Sequence, residues 1–333
     1  MSRSTRPTLA QVAEFAGVSL KTASRAVNGE YGVAPATSDR VLAAARSLGF
    51  RPNLLARSLA SGRPSAAVGL VIPNVADPFF AELVGGVERA LASRGLQLVI
   101  ASHHDDPVAQ RAIVRALVER RVDGLLLVPA PGDASYLQAD IDHGLVVVSL
   151  DRPVVGVDID TVVADNRRAS TGAVRELIAA GHRRIALLAD NSDLWTMQER
   201  MAGYRSALAE AGIAEDPSLV CPDCASRPCG PLIAALLASD DPPTAVFAAH
   251  NATGRDVLRA ARTAGVEIAL VVFDEARDSD LLSAPPQVLR SNPEQLGKAA
   301  AEMALERLDG LRSPARLVVE RVSSLSANLE PAA

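Results

Sequence analysis

Cysteine is scarce, with three in 333 residues, so the chain is not built on a disulfide framework. No uninterrupted apolar run approaches the ~20 residues that cross a bilayer, which excludes a membrane-spanning helix. Met1 to Thr8 is polar and lacks the apolar core of a signal peptide, so the expected location is cytoplasmic. Catalytic signatures are missing too. There is no Walker loop, nucleophile elbow, His-Glu-x-x-His or dinucleotide glycine pattern, and Gly85-Gly86 falls inside a helical stretch. The chain therefore reads as a non-enzyme, with no catalytic residue, cofactor or metal assigned. His103-His104-Asp105-Asp106 reads as a loop running into a helix start. Cys221-Pro-Asp-Cys224 with Cys229 could hold zinc only with a fourth ligand, or pair as a redox sensor; without a second Cys-x-x-Cys the simpler reading is a loop. After about Ser326 no heptads follow, so no coiled-coil tetramer is expected.

The composition is that of an ordinary globular protein, 48% apolar and 22% charged, which excludes wholesale disorder. At roughly 100–200 residues per domain, the length predicts two or three domains. The net charge of −5 conceals a split. Residues 1–63 hold nine Arg or Lys against three Asp or Glu, a balance of +6, and the remainder carries −11. A basic head on an acidic body suggests that the head alone meets a polyanion.

Thr8-Leu9-Ala10-Gln11 has the form of a capping box, in which Thr8 accepts from the Gln11 amide and Gln11 reaches back. Leu9, Val12, Ala13 and Ala16 follow at helical spacing, and Gly17 supplies the turn that ends this helix. Ser19 can cap a second helix, Leu20 to Val27, with Ala23, Ala26 and Val27 inward and Asn28-Gly29 as its stop. A third helix is expected from Pro35 to Leu48. Ala34 before it cannot cap, which weakens that end by about 1 kcal/mol relative to Ser. Two short helices joined through Gly17 and Val18 make a helix-turn-helix, whose second helix enters the major groove. Its exposed residues would be Ser19, Leu20, Lys21, Thr22, Ser24 and Arg25. Lys21 and Arg25 can donate to guanine or phosphate, Ser and Thr can bond phosphates, and Leu20 can meet a thymine methyl. On pattern alone, a small helical subdomain with solvated charges is the competing reading.

Thr8-Leu-Ala-Gln-Val-Ala, Ala16-Gly-Val-Ser, Thr22-Ala-Ser-Arg-Ala-Val-Asn and Arg51-Pro-Asn-Leu-Leu-Ala-Arg-Ser-Leu resemble, in that order and spacing, the LacI/GalR family of bacterial transcription regulators. The resemblance implies that Leu20 and Lys21 are the main base-reading positions. It also implies backbone or base contacts from Thr22, Ser24, Arg25 and Asn28, and Thr8 and Ser19 are grouped with them. Ala23 stands where the family usually has Val. Pro52 ends the head, because a residue before proline is pushed out of helix. Asn53 can cap a short segment, Leu54 to Ala60, too short to be helical alone in water. In the family this hinge helix lies in the minor groove, paired with that of a second subunit. By that resemblance Leu59 is the apolar wedge, Ala56 packs beside it, and Asn53 and Arg57 join the DNA contacts. The competing reading is a plain linker with a solvated Arg57.

From Ala66 the pattern alternates strand and helix. Strands are expected at Ala67 to Ile72, Leu96 to Ala101, Gly124 to Val128, Leu145 to Ser149, Ile185 to Ala189, around Leu219, Ala245 to Ala249 and Ile268 to Phe273. Helices are expected at Phe79 to Arg94, Pro107 to Arg120, Arg168 to Gly181, Glu199 to Gly212, Pro231 to Ala238 and Arg255 to Ala264. Continuous apolar strands between amphipathic helices predict an α/β fold of two doubly wound lobes with parallel sheets. Ligands bind beyond the carboxyl ends of such strands. Those ends carry Asn74, Asp77, Asp151, Asp190, His250, Asn251, Asp274 and Glu275. Taken alone each is more often a turn residue or helix cap, and their shared position is what points to a site.

Val71-Ile-Pro-Asn, Asp77-Pro-Phe-Phe, Arg121-Val-Asp-Gly, Leu150-Asp-Arg-Pro, Ala164-Asp-Asn, Gly181-His-Arg-Arg-Ile-Ala, Glu199-Arg-Met-Ala-Gly-Tyr and Phe273-Asp resemble the family's effector domain, so the likeness spans nearly the whole chain. It implies a head at 1–50, a hinge at 51–64, and a periplasmic-binding-protein-like effector and dimerisation body at 65–330. Lobe 1 would be about 65–164 with 291–319, and lobe 2 about 165–290 with 320–330. The implied pocket has Phe79 and Phe80 as walls, Asp151, Arg200 and Asp274 as charged anchors and Thr196 as a lining hydroxyl. Arg and carboxylates suit a polyol or sugar. The chain departs from the family at His250-Asn251, where Asn-Asp is common, at Val272 for Gly, and at Ser291 for Gln. Trp195, its one Trp, sits beside the pocket segment.

The reading is a homodimeric, ligand-responsive repressor of genes for uptake or catabolism of a sugar or other small metabolite, bound to a pseudo-palindromic double-stranded DNA operator. The alternatives are a solute-binding or sensor protein without operator binding, and a sugar-processing enzyme.

Overall fold

The computed structural model describes residues 7–51, 66–224, 229–274 and 285–325. The chain divides into two compact units, residues 1–65 and 66–333.

Among the described residues the head has three helices. α1 (Leu9–Phe15) starts in the capping box, with the Thr8 amide donating to Gln11 Oε1 at 2.8 Å and the Gln11 amide to Thr8 Oγ1 at 3.4 Å. α2 (Leu20–Asn28) is capped by Ser19, whose Oγ accepts from the Thr22 amide at 3.1 Å. Gly29 ends it at φ +67°, a conformation in which glycine carries no Cβ penalty. α3 (Pro35–Leu48) has no side-chain cap at Ala34. Val12, Ala23 and Val41, with no exposed surface, centre a core otherwise made mostly of alanine. The expected hinge helix, with Asn53, Ala56, Arg57 and Leu59, lies outside the described residues.

The body contains two six-stranded sheets. Lobe 1 opens with β1 (Ala67–Ile72), α4 (Pro78–Ala92), β2 (Gln97–Ser102), α5 (Pro107–Glu119), β3 (Gly124–Leu127), α6 (Gln138–Asp142), β4 (Val146–Leu150) and β5 (Asp160–Ala164). Lobe 2 follows with α7 (Asn166–Ala179), β6 (Ile185–Leu188), α8 (Trp195–Glu210), β7 (Val220–Cys221), α9 (Cys229–Leu237), β8 (Ala245–Ala248), α10 (Asn251–Ala264), β9 (Ala269–Phe273) and β10 (Gln287–Arg290). The chain returns to lobe 1 with α11 (Pro293–Leu308) and β11 (Leu317–Glu320), then closes lobe 2 with β12 (Ser323–Leu325).

The sheet orders are β11-β5-β4-β3-β1-β2 and β12-β10-β9-β8-β6-β7. Every pairing among these strands is parallel except β10 with β12. The inner strands β3, β5, β6 and β8 are buried along their full length, as expected where helices cover both faces of a parallel sheet. Helix α4 packs on α11 so closely that a Cβ on Gly86 would lie 2.0 Å from the Glu294 carbonyl oxygen.

Some elements differ from their periodicity. α8 begins at Trp195 rather than Glu199, because Leu194, Met197 and Met201 are all buried against the second sheet. α10 begins at Asn251 rather than Arg255, capped by the His250 ring. Strands β5, β10, β11 and β12 and helix α11 were not anticipated. β5 and β10 are short, and β11 alternates exposed and half-buried residues at a sheet edge.

Candidate functional site

On the head, Ser19, Leu20, Lys21 and Arg25 are exposed, Leu20 at 55%, and Thr22, Ser24 and Asn28 are half-buried. The side chains of Thr8 and Ser19 are engaged as caps, and the Ser19 and Thr22 hydroxyls are 2.9 Å apart. Asn28 Nδ2 donates to Ser24 Oγ and to Glu30 Oε1, and Glu30 lies 3.8 Å from Arg25. Leu20 is thus an apolar side chain in water beside the cationic ends of Lys21 and Arg25, the latter paired with Glu30.

In the body, the carboxyl ends of both sheets converge on a cavity of about 200 Å³. Asn74, Asp77, Phe79, Phe80, Asp105, Asp151 and Arg152 line it from lobe 1. Asp190, Leu194, Thr196, Met197, Arg200, His250, Asn251 and Asp274 line it from lobe 2. Phe79, Phe80, Asp151, Thr196, Arg200, His250, Asn251 and Asp274 are therefore brought together, whereas Glu275 lies outside the described residues. The volume is below the roughly 300–1,000 Å³ of drug-sized sites and suits a small ligand. Phe79 and Phe80 meet edge to face at 5.1 Å.

Asp151 directly follows β4 and Asp274 directly follows β9, the same place in the two sheet orders. Both adopt left-handed backbone, φ +63° and +61°. Asp tolerates this conformation better than most residues, and such strain clusters at ligand sites. Arg200, 3% exposed, anchors the lobe 2 side. Its Nε donates to Asn166 Oδ1 at 2.8 Å, Nη1 to the Ala249 carbonyl at 2.7 Å and Nη2 to Asp274 Oδ2 at 3.2 Å. Its guanidinium lies 3.6 Å from the centroid of the Phe273 ring. Burial pulls the Arg200 pKa down, and Asp274 and Asp151 oppose it. Burial pushes the Asp151 carboxyl up, against the pull of Arg152 and Arg200.

Arg152 and Asp105 are cleft residues that the sequence reading did not assign. Arg152 Nη1 donates to Asp105 Oδ1 at 2.6 Å and to the Pro129 carbonyl at 3.1 Å, and Nε lies 3.3 Å from Asp151. The available signal was the position of Arg152 inside Leu150-Asp-Arg-Pro. His103 is fully buried beneath them. Its Nδ1 accepts from the Asp105 amide at 3.0 Å, which leaves Nε2 to donate to the Val128 carbonyl at 2.9 Å. Burial lowers its pKa, consistent with this neutral ring. Asp77 also has a structural task, since its Oδ1 accepts from the Phe79 amide at 2.9 Å and caps α4.

The departures from the family pattern have local reasons. Val272 packs against Gly254, where a Cβ would come within 2.7 Å of the valine. Ser291 is buried and donates a short hydrogen bond to Asp274. Trp195 opens α8 immediately before Thr196, and the lining begins with its neighbours. The three cysteines are buried free thiols, with the Cys221 and Cys224 sulfurs 3.2 Å apart. Burial pushes the Cys224 thiol up, which disfavours the reactive thiolate. Among the described residues no cluster of His, Cys, Asp and Glu could hold a metal ion, and no helix is long and apolar enough to cross a membrane.

A helix-turn-helix head joined to a two-lobed α/β body with a polar inter-lobe cleft defines a DNA-binding regulator that senses a small ligand. Residues 8–53 match the model for bacterial regulatory proteins of the lacI family, and residues 65–321 match that for periplasmic binding proteins and the sugar binding domain of the LacI family. The HTH-type transcriptional regulator CelR of Thermobifida fusca is 34% identical, covering 96% of this chain and 97% of the relative. The chain belongs to the LacI family and is a transcriptional regulator. A solved CelR–cellobiose complex is 31% identical, with a TM-score of 0.71 over 97% of this chain and 99% of that one. The lac repressor dimer bound to operator and an anti-inducer has a TM-score of 0.80 at 24% identity, over 98% of this chain and 100% of that one, a likeness of fold.

Proposed function

We propose that the protein is a cytoplasmic homodimeric repressor that binds a pseudo-palindromic operator and responds to a sugar or related polyol in the inter-lobe cleft. The observation that carries this reading is the pairing, in one chain, of an exposed Leu20-Lys21-Arg25 helix face with facing cleft residues Asp151 and Asp274. Leu20 and Lys21 read bases, while Thr8, Ser19, Thr22, Ser24, Arg25 and Asn28 hold the backbone or neighbouring base edges. In the hinge, Asn53, Ala56 and Arg57 contact DNA and Leu59 wedges the central base step. In the cleft, Asp151, Asp274, Arg200, Asn251 and Thr196 supply polar contacts, and Phe79 and Phe80 supply the apolar wall. A solved CelR relative binds cellobiose, which supports a saccharide effector. The protein acts as a binder rather than an enzyme, a reading supported by relatives that are transcriptional regulators.

The mechanism is linkage. Effector binding changes lobe closure, which changes hinge spacing across the dimer, and DNA shifts effector affinity by the same factor, typically about 5–150-fold. Footprinting the full-length protein on its own upstream region tests the reading. A protected pseudo-palindrome is expected, with affinity falling steeply as salt rises. Lys21→Ala should weaken that site about 5–100-fold, the range for one base contact. The absence of any protected palindrome at moderate salt would overturn the repressor reading.

A further inference from the structure

The second lobe places a histidine, where the family commonly has Asn, beside a cleft carboxylate. His250 caps α10 through its ring, with Nδ1 accepting from the Ala252 amide at 3.3 Å. In the neutral ring the proton therefore sits on Nε2. Among the described residues no acceptor engages Nε2, and the side chain lines the cleft, 27% exposed. Asp190 lines the same wall from the end of β6, with Oδ2 4.0 Å from His250 Nδ1 and equal exposure. An Asn at position 250 would offer both a donor and an acceptor, whereas the capped imidazole offers only a donor.

The charge balance of the walls is one-sided. Asp77, Asp105, Asp151, Asp190 and Asp274 face two guanidiniums. Arg200 is tied to Asp274, Asn166 and the Ala249 carbonyl, and Arg152 is tied to Asp105 and the Pro129 carbonyl beside Asp151. Neither is left to neutralise an incoming anion, and a ligand anion would meet Asp77 and Asp190, which neither guanidinium pairs.

We propose that His250 and Asp190 together read one hydroxyl of the effector, His250 donating through Nε2 and Asp190 accepting, so that the cleft takes an uncharged polyhydroxylated ligand and rejects its phosphorylated or carboxylate counterparts. This rests on the reading of the cleft as the effector site. A hydroxyl is the group that accepts from the imidazole and donates to the carboxylate at once. Protonating His250 adds a proton to Nδ1 and breaks its bond with the Ala252 amide. The groups facing the ring are Asp190, Arg200, Asp77 and Asp274, and burial, partly offset by Asp190, lowers its pKa from the usual 6.5. Ligand binding should therefore be flat at neutral pH and weaken in acid, below the ordinary histidine range.

The test is titration calorimetry on the full-length protein, followed independently by Trp195 fluorescence. The probes are D-glucose, D-ribose and cellobiose against glucose 6-phosphate and D-glucuronate. At least one neutral saccharide should bind, and the anionic probes should bind at least tenfold more weakly. Asp190→Asn and His250→Ala should each weaken the bound saccharide about tenfold or more, the usual weight of a hydrogen bond to a charged or buried group. His250→Asn should recover part of the loss and abolish the acid dependence. Melting temperatures without ligand establish that the variants fold, and His250→Asn serves if His250→Ala does not. A saccharide that binds both wild type and Asp190→Asn equally, or a phosphate ester that binds as tightly as its parent sugar, overturns the inference while leaving the effector reading intact. Failure of every probe to bind overturns the effector reading and the inference with it.

Discussion

In lobe 1, strand β5 opens with Asp160; in lobe 2, the corresponding strand β10 opens with Gln287. Both side chains are at most 2% exposed. Asp160 is gripped by two guanidiniums, Arg307 at 2.7 and 2.9 Å and Arg316 at 2.9 Å, and also accepts from the Arg316 amide at 2.9 Å. Gln287 Nε2 donates to the Glu176 carboxylate and to Ser324 Oγ, while its Oε1 is buried with no partner. The charged device ties β5 to α11 and β11, the segment that returns to lobe 1 after the chain has built most of lobe 2. The device built on the uncharged Gln287 amide ties β10 to α7 and β12. One topology thus closes with two chemistries, and the stronger one sits where lobe 1 must recapture distant chain.

The sharpest way to break this comparison is Asp160→Asn, which leaves Arg307 without its carboxylate and Arg316 with Glu306 alone. Breaking a buried pair costs about 3–5 kcal/mol, and the partial exposure of Arg307 and Arg316 places this one near the lower end, about 3 kcal/mol by urea denaturation. The same pair carries a pH signature. Burial would raise the Asp160 pKa, but the bonds from Arg307 and Arg316 outweigh it and hold the carboxyl at about 2, against an ordinary 3.8. A depressed folded-state pKa contributes stability that is complete above the unfolded value and is lost as pH falls through the folded one. Wild type should therefore lose about 2 kcal/mol between pH 5 and pH 1, and Asp160→Asn should show a flatter acid limb by circular dichroism. A variant with the same acid slope would remove Asp160 from its role.

The next largest effect sharpens the comparison at the helix layers. Each lobe brings two helices together over a glycine, Gly86 between α4 and α11 and Gly203 between α7 and α8. A Cβ would meet the Glu294 carbonyl oxygen at 2.0 Å in the first case and the Arg167 carbonyl oxygen at 2.5 Å in the second. Backbone cannot swing aside as a side-chain end can, so alanine at either place should cost about 1–3 kcal/mol by overpacking, more at Gly86. Equal losses in thermal unfolding would mean that the two helix layers yield alike. The smallest effect is expected at Gln287→Ala, about 1–2 kcal/mol, since it removes one hydrogen bond to a carboxylate and one to a hydroxyl from a side chain already missing one partner. A loss as large as that of Asp160→Asn would erase the contrast between the lobes.

Much of the architecture could be read from the chain. The capping box at Thr8 and Gln11, the Ser19 cap and the glycine stops are local signals, and the head forms around them. Buried parallel strands showed as unbroken apolar runs such as Ala67 to Ile72. The start of α8 was misplaced because Trp195-Thr196-Met197-Gln198 carries no usual cap, and Leu194 precedes it without a side-chain bond. His250 was open to either reading, cap or cleft group, and its ring does both, capping α10 while it lines the cleft. Asp77 was likewise open to a cap reading, and one of its oxygens serves the Phe79 amide.

Sequence alone determined the classes of group available to the cleft and the strands that end there, because residue chemistry and apolar period are local properties of the chain. It also determined the division between a basic head and an acidic body. Only the tertiary structure decided which of those groups are committed. Arg200 finds Asn166, Ala249 and Asp274, and Arg152 finds Asp105, across separations that no local pattern encodes. Whether a guanidinium is free for a ligand or already neutralised depends on which strand ends the two sheets bring together. That is set by packing and desolvation, and it turns a list of polar residues into a cleft with a sign.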